Sequence, residues 1–215
     1  MTDIDMQTAV KRINKARELG ETKVNLSGLK IQEIPKELLE LSDTLEKLDL
    51  GFTKVSDISP LSNLTKLEML YLGNTGVSDI SSLAKLTKLE WLNLDSTNVS
   101  DISSLANLTN LKELYLHYTN VSDISSLANL TKLEWLDLDS TNVSDISSLA
   151  NLTKLIALYL WRTGVSDISP LRNLTNLETL DLSRSPVVES SENIQALKKL
   201  RENGCKIYGV EEFPS

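Results

Sequence analysis

Apolar residues recur along most of this chain with a period of 22 positions. The phrase Leu-x-x-Leu-x-Leu-x-x-Thr begins seven times, with serine replacing threonine in the last copy, at Leu45, Leu67, Leu89, Leu111, Leu133, Leu155 and Leu177. A unit of this length cannot bury its apolar face alone, so neighbouring units must stack and share one continuous core. The pattern therefore predicts a single elongated solenoid.

Each unit contains two periodicities, which residues 89–110 illustrate. Leu92 and Leu94 alternate with Trp91 and Asn93, the period-two pattern of a short strand with one buried face. Stacking makes these strands parallel and about 4.8 Å apart. Apolar residues then recur at every third position, as a 3₁₀-like turn requires, at Val99, Ile102, Leu105 and Leu108. We therefore expect an α/β solenoid with strands on one side and tight turns on the other.

Two polar columns accompany the turns. Aspartates precede each Ser-Pro or Ser-Ser pair by two residues, at Asp57, Asp79, Asp101, Asp123, Asp145 and Asp167. We interpret them as acceptors for backbone N–H groups at the turns rather than as a metal ladder. Ser59 and Ser169 precede prolines, so their hydroxyls are expected to cap the turns. Another column is expected to hydrogen-bond backbone groups where the strand bends away, at Thr53, Thr75, Thr97, Thr119, Thr141 and Thr163.

The amino-terminal end departs from the repeated phrase, and we expect it to cover the exposed end of the core. Residues 1–22 are predicted to form a cap, with a helix from about Asp5 to Leu19 that Gly20 ends. The core face of this helix is expected to carry Met6, Val10 and Ile13. The repeats then occupy residues 23–186, as one irregular unit and seven regular ones.

Residues 187–215 are predicted to form a second cap and a tail. Ser191 is expected to cap a helix that Gly204 ends. Its apolar residues are Ile194, Leu197 and Leu200. Cys205 to Tyr208 then form a last short strand, in which Cys205 is expected to be a buried small apolar residue rather than a nucleophile.

Composition narrows the range of partners. The net charge is −8 and lysine and arginine form no cluster along the repeats, which argues against nucleic acid and anionic membrane as partners. No run approaches the roughly 20 apolar residues of a membrane span, and the amino terminus lacks the features of a secretory signal. A single cysteine and Asn-x-Ser/Thr triplets in most repeats fit a cytoplasmic protein better than a secreted glycoprotein. We expect a monomer without cofactor that binds basic or apolar protein surfaces.

The phrase, followed by Val-Ser-Asp-Ile-Ser-Pro/Ser-Leu and Asn-Leu-Thr, resembles the leucine-rich repeat proteins. It is similar to their 22-residue subclass, found in bacterial internalins and in a regulatory subunit of protein phosphatase 1. Residues 9–50, with Val24-Asn-Leu-Ser-Gly and Glu33-Ile-Pro-Lys-Glu, are similar to repeat regions of bacterial Roco proteins, although no phosphate-binding loop follows. The resemblance implies a horseshoe whose parallel strands line a concave, protein-binding face. Threonine stands where the family usually has asparagine at the ninth place.

Nearly identical repeats differ mainly on their predicted strand side. Residues 87–109 and 131–153 differ at one position only, Asn93 against Asp137. The unit between them differs from the second chiefly at non-leucine places of the strand phrase, at Lys112, Glu113, Tyr115, His117 and Tyr118. Exposed turn-side positions do not change. This confinement indicates that the strand side recognises a partner, although capping chemistry or a recent duplication would also preserve the turns.

Aromatic residues concentrate at the same strand places. The candidate partner-binding residues are Phe52, Met69, Tyr71, Trp91, Asp95, Tyr115, His117, Tyr118, Trp135, Asp139, Tyr159, Trp161 and Arg162. Exposed Trp, Tyr, Met and Arg are the residue types that anchor interfaces. Alternatively, long rings pack against one another across neighbouring strands and stiffen the sheet. We favour binding because aromatic residues mark nearly every repeat.

The single histidine, His117, lies among the candidate partner-binding residues. Asp95, His117 and Asp139 hold the same place in three successive repeats, so a carboxylate is expected on each side of the imidazole. The row could bind a divalent metal, or it could be a hydrogen-bonded row that contributes to recognition. No catalytic arrangement is apparent. The leading hypothesis is a non-enzymatic protein-interaction module, and the alternatives are a regulatory or targeting subunit of an enzyme such as a phosphatase, or this metal site.

Overall fold

A computed structural model describes residues 3–210 of the chain. Helix α1 (Asp3–Leu19) opens the fold, and α2 (Ser191–Glu202) precedes its last strand. The strands are β1 (Lys23–Asn25), β2 (Lys47–Asp49), β3 (Met69–Tyr71), β4 (Trp91–Asn93), β5 (Glu113–Tyr115), β6 (Trp135–Asp137), β7 (Ala157–Tyr159), β8 (Thr179–Asp181) and β9 (Lys206–Tyr208). Neither helix is both long and apolar enough to cross a membrane.

The strands form one parallel sheet in chain order, β1 to β9. Successive regular strands pair at an offset of 22 residues, so each central leucine lies beside its equivalent, as Leu92 pairs with Leu114 and Leu114 with Leu136. Short 3₁₀ helices lie opposite the sheet, at Lys36–Leu41, Ser59–Asn63, Ser81–Lys85, Ser103–Asn107, Ser125–Asn129, Ser147–Asn151 and Ser169–Asn173. The predicted α/β solenoid is therefore confirmed, with strands on the concave side and turns on the convex side.

The core is a stack of leucine, valine and isoleucine columns. Leu114 and Leu116 of one repeat are fully buried, as are the residues that its turn returns to the core, Val121 and Leu127. Burial of this kind contributes about 25 cal/mol per Å² of apolar surface and is the main favourable term in folding. Each repeat is thus stabilised by its neighbours rather than by itself.

The face by which helix α1 packs on the first repeat was predicted in part. Ile13 is buried and Met6 packs against the core as expected, whereas Val10 is only half-buried. Two alanines that were not predicted, Ala9 and Ala16, are buried beside Ile13. The end of the helix at Gly20 is as predicted, because this residue has a φ of +65°, in the left-handed region that glycine adopts readily.

The second cap is tied to the repeat that begins at Leu155 by a buried asparagine, Asn193. Ser190, not Ser191 as predicted, is the N-cap of α2, because its hydroxyl accepts the N–H of Asn193 at 3.1 Å. The Asn193 side chain accepts the N–H of Ile168 at 2.8 Å and donates to the carbonyl oxygens of Ser166 and Val188 at 2.9 Å. This residue is fully buried, yet its side chain makes three hydrogen bonds.

Cys205 lies just before the last strand and is buried, as expected from the sequence. Burial raises the pKa of its thiol to about 11. The thiolate form is therefore scarce at neutral pH, and this cysteine is a poor nucleophile.

The turns are held by aspartate carboxylates rather than by serine hydroxyls. The 3₁₀ helices begin at the serine itself, and the preceding isoleucine is the N-cap without a side-chain bond, so the predicted capping by Ser59 and Ser169 is wrong. Instead, Asp57 accepts the N–H of Ser59 at 2.8 Å, and the five equivalent aspartates do the same. The hydrogen bond from Ser59 lowers the pKa of Asp57. The capping interpretation of this column is confirmed.

The threonine column also behaves as predicted. All six threonines are at most 8% exposed. Each hydroxyl donates to the carbonyl oxygen three residues earlier, at 2.6 to 3.0 Å. These bonds satisfy carbonyl groups at the point where the chain leaves the sheet.

Candidate partner-binding face

The concave surface of the sheet is formed by four columns of side chains, which we call the strand face. They are the first and third residues of each strand and the second and third residues after the strand ends. In β5 and the residues that follow, they are Glu113, Tyr115, His117 and Tyr118. The central residue of each strand points to the core, so the strand face receives only side chains that the core does not need.

All thirteen predicted partner-binding residues lie on the strand face. Phe52, Tyr118 and Arg162 are exposed, and the other ten are half-buried. Their positions in this surface agree with the predicted alternation, but their binding role remains a prediction. The sequence-based selection omitted polar residues of the same columns, Asp49, Asn93, Glu113, Asp137 and Asp181.

The third residue of the strands alternates between an acidic or amide residue and tyrosine. From β2 to β9 this column runs Asp49, Tyr71, Asn93, Tyr115, Asp137, Tyr159, Asp181 and Tyr208. This column therefore repeats every two units, or about 10 Å at the spacing of parallel strands. Comparing single repeats does not reveal this alternation; reading down the column does.

Backbone hydrogen bonding explains much of the alternation. Asp137 accepts the N–H two residues later, that of Asp139, at 2.9 Å. Asn93 accepts the N–H of Asp95 in the same way at 3.0 Å. A tyrosine cannot do this, and in the next repeat Asp139 instead accepts the N–H of Trp161 at 2.7 Å. Two consecutive repeats thus share one hydrogen-bonding scheme.

The same scheme operates one pair earlier. Asp95 accepts the N–H of His117 at 2.9 Å, because Tyr115 cannot serve this group from its own strand. The repeats that contain Tyr115 and Tyr159 therefore each donate this bond to an acid of the repeat before them.

Aromatic rings form two groups within this scheme. The Tyr71 and Trp91 ring centroids are 3.9 Å apart, and those of Trp91 and Tyr115 are 5.1 Å apart. A second pair, Trp135 and Tyr159, has centroids 5.3 Å apart. Cross-strand packing of the rings is therefore real, but every one of these rings remains half-buried and open to the concave side. Packing preorganises the rings without removing them from the surface.

Bulky residues occupy a backbone position that disfavours them. The third residue after the strand is left-handed in each regular repeat, with φ from 54° to 62°, at Phe52, Asn74, Ser96, Tyr118, Ser140, Arg162 and Arg184. The left-handed region costs a residue with a side chain about 1–2 kcal/mol, and asparagine suffers least. Phe52 is nevertheless 70% exposed and Tyr118 is 51% exposed, so neither is retained for burial in the core.

His117 forms a cluster with one of its two predicted aspartates, Asp139, and with Asp137 in place of Asp95. The cluster whose ligand atoms lie within 4.8 Å of one another is His117, Asp137 and Asp139. The His117 Nδ1 atom is 3.9 Å from Oδ2 of Asp137. Asp95, which the sequence placed in this set, uses one oxygen for the N–H of His117 and the other for the Asn93 amide at 2.8 Å. Its carboxylate is thus already engaged.

Three carboxylates of the strand face, those of Asp95, Asp137 and Asp139, have pKa values above that of an ordinary aspartate. Burial, followed by the charge of Asp137, raises the pKa of Asp139 to about 6. Burial also raises the pKa of Asp95 and of Asp137. The middle of the strand face is therefore a concentration of incompletely solvated acids.

Basic residues gather at the amino-terminal end of the face. Four of them line one surface pocket, Arg12, Lys15, Lys23 and Lys47. Arg12 and Lys15 come from α1, which packs beside β1, and Arg12 donates to the carbonyl oxygen of Asn25 at 2.9 Å. Glu21 and Asp49 line the same pocket, so its charge is mixed.

Comparison with known proteins agrees with the repeat geometry. A family model described as leucine-rich repeats in two copies matches residues 43–85, 87–129 and 153–199. This is more than half of the chain, which therefore belongs to the leucine-rich repeat family. No curated protein matches it significantly.

Solved structures include two similar internalins of Listeria monocytogenes. Internalin C2 is 32% identical over 88% of either chain, with a TM-score of 0.81. The internalin InlF is also 32% identical, over 97% of this chain and 75% of its own, with a TM-score of 0.76. A leucine-rich repeat protein of Leptospira interrogans shares the fold at 24% identity and a TM-score of 0.80, over 90% of this chain and 50% of its own.

Proposed function

We propose that this chain is a protein-interaction module whose strand face binds a partner that presents basic and aromatic or aliphatic side chains. The observation that carries the proposal is that differences between otherwise nearly identical repeats concentrate on this face, at Glu113, Tyr115, His117 and Tyr118, with only Asn110 and Lys112 outside it. On this face the half-buried rings of Trp91, Tyr115 and Trp135 supply anchors, since rigid aromatic groups lose little entropy on binding. The chain acts by binding rather than by catalysis, and it does so in the cytoplasm.

Charge favours a basic partner. The Asp95, Asp137 and Asp139 carboxylates have raised pKa values, chiefly because burial strips water from them. A lysine or arginine from a partner would offset that desolvation, and its stem would lie against the neighbouring rings. Electrostatic complementarity of this kind also speeds association.

The left-handed column supports the same surface. Phe52, Tyr118 and Arg162 retain large side chains where Asn74 and Ser96 show that smaller ones suffice. Strain kept at exposed positions is typical of residues that serve binding rather than folding. These side chains extend the candidate interface along one edge of the strand face.

Selection from a random peptide library displayed on phage tests this proposal. We expect the wild-type chain to enrich peptides in which lysine or arginine adjoins aromatic or aliphatic residues. The variant Trp91→Ala, Trp135→Ala, Trp161→Ala should lose this enrichment. A turn-side control, Asn107→Ala, Asn129→Ala, Asn151→Ala, should retain it, because these three exposed residues lie on the convex surface of the same array.

The selection separates the two parts of the proposal. Equal enrichment by the tryptophan variant and the wild type would refute binding through the strand face. Enriched peptides without lysine or arginine would refute the basic partner alone. Circular dichroism of both variants establishes that each is folded before it is used.

A further inference from the structure

The only histidine of the chain lies among the acids of the strand face. His117 follows β5, and Asp137 and Asp139 lie in and just after the neighbouring β6. One potential ligand atom from each of the three residues lies within 4.8 Å of the others. An imidazole nitrogen and two carboxylate oxygens are a ligand set that zinc accepts.

Each aspartate of this cluster is fixed by one oxygen and leaves the other available. The N–H of Asp139 donates to Oδ1 of Asp137 at 2.9 Å, and the N–H of Trp161 donates to Oδ1 of Asp139 at 2.7 Å. Hydrogen bonds from the backbone therefore orient both carboxylates, as hydrogen bonds to the ligands do in metal sites. Oδ2 of Asp137 faces the Nδ1 atom of His117 at 3.9 Å.

The negative charge of the cluster lacks a strong counter-charge. Within residues 3–210, His117 is the only basic side chain within ion-pairing distance of Asp137 or Asp139. Both aspartates are half-buried, so water compensates them incompletely. A divalent cation would neutralise both carboxylates.

We propose that His117, Asp137 and Asp139 bind a divalent transition metal, with zinc as the best match. Zinc takes imidazole nitrogen and carboxylate oxygen at about 2.0–2.2 Å and retains a fourth position for water or an incoming ligand. Bonds of this length place ligand atoms roughly 3.4 Å apart, which small side-chain rotations provide from the present separations. The proposed basic partner would approach the same two carboxylates, Asp137 and Asp139, so the metal site is tested on the chain alone, and its failure would leave the proposed partner binding standing.

Asp95 provides a matched control within the same column. It stands where Asp139 stands two repeats later, but both of its oxygens accept hydrogen bonds, from the His117 N–H and from the Asn93 amide. An Asp95→Asn variant keeps an acceptor for the backbone and removes one negative charge. It therefore separates specific ligation from general attraction of cations to an acidic surface.

Calorimetric titration of the tag-free, chelator-treated chain with zinc chloride tests the site. We expect one saturable site in the wild type and at least about tenfold weaker binding in His117→Ala and in Asp137→Asn. Asp95→Asn should remain within about twofold to threefold of the wild type. Absence of saturable heat in the wild type, or equal affinity in His117→Ala, would overturn the proposal, as would an equally large loss in Asp95→Asn.

Cobalt gives a second readout that depends on ligand geometry. Cobalt(II) in a low-symmetry site with histidine and carboxylate ligands absorbs visible light more strongly than hexaaquo cobalt. We expect this absorption in the wild type and in Asp95→Asn but not in His117→Ala. A wild-type spectrum identical to that of cobalt in buffer would contradict the assignment.

Discussion

The two sides of each repeat use polar residues in different ways. On the turn side, Asp123 and Thr119 bond to the backbone of their own repeat, and six of the seven regular repeats carry both residues. On the strand side, the parallel ladder satisfies most backbone groups, and side chains such as Glu113 and Tyr118 can differ between copies. The comparison shows that the fold constrains the turn side through local capping and leaves much of the strand side free for recognition.

Part of the strand face cannot vary freely, because acids on it accept backbone N–H groups of the following repeat. We call this pairing of consecutive repeats the two-repeat rule. Asp95 and Asp139 serve the N–H groups of His117 and Trp161 in the following repeats. Tyr115 and Tyr159 therefore occur where the preceding repeat supplies an acid. In the column of third strand residues, tyrosines therefore recur at every second repeat, about 10 Å apart.

The largest expected effect is on the core that both sides share. Leu114→Ala should lower the free energy of unfolding by about 2–5 kcal/mol, because Leu114 is fully buried and its removal leaves a cavity. Urea denaturation followed by circular dichroism measures the change. Ser103→Ala, at an exposed turn position, is the control and should change stability by less than about 0.5 kcal/mol.

A turn-side substitution should come next. Thr119→Val preserves shape but removes the hydroxyl that donates to the carbonyl oxygen of Leu116 at 2.7 Å. Because that carbonyl then lacks this partner, we expect a loss of about 1–3 kcal/mol in urea unfolding. A loss below about 0.3 kcal/mol would show that the threonine column is not held by backbone chemistry.

The two-repeat rule predicts a difference between two variants of one strand-face acid. Asp95→Ala removes the acceptor for the N–H of His117, whereas Asp95→Asn retains one. We expect the alanine variant to be less stable than the asparagine variant by about 1 kcal/mol. Equal stabilities in parallel urea titrations would remove the physical basis of the alternation.

The smallest expected effect is a gain in stability, whereas the preceding substitutions lower it. Tyr118→Asn should raise the free energy of unfolding by about 0.5 kcal/mol, because asparagine tolerates the φ of 54° better than tyrosine. Differential scanning calorimetry detects this as a small rise in melting temperature. A fall in melting temperature would show that Tyr118 stabilises the fold and is not retained at its expense.

Much of the fold follows from the sequence because repetition places equivalent residues in register. The buried position of Leu114 and the roles of Asp123 and Thr119 could be predicted for this reason. The buried face of α1 could be predicted only in part, since the helix packs once, against an irregular repeat, and small residues such as Ala9 share the contact with Ile13.

The candidate site was only partly predictable for a related reason. Spacing places Asp95, His117 and Asp139 in one column, but it does not show which carboxylate oxygens the backbone occupies. That bonding engages Asp95 and brings Asp137 into the cluster. The left-handed backbone at Tyr118 also could not be predicted from tyrosine itself. Asn74 and Gly28 in the same column are residue types that favour this conformation, and they indicate it.

The central claim is that the strand face can change without loss of the fold but not without loss of binding. The most direct test exchanges three anchors for residues that other repeats carry in the same columns, as Trp91→Met, Trp135→Ala and Trp161→Ser. The dissociation constant for a selected peptide and the free energy of unfolding are measured together. We expect binding to weaken at least tenfold, as loss of hot-spot residues implies, while the chain remains folded with a cooperative urea transition. Unchanged affinity in this folded variant would contradict the claim.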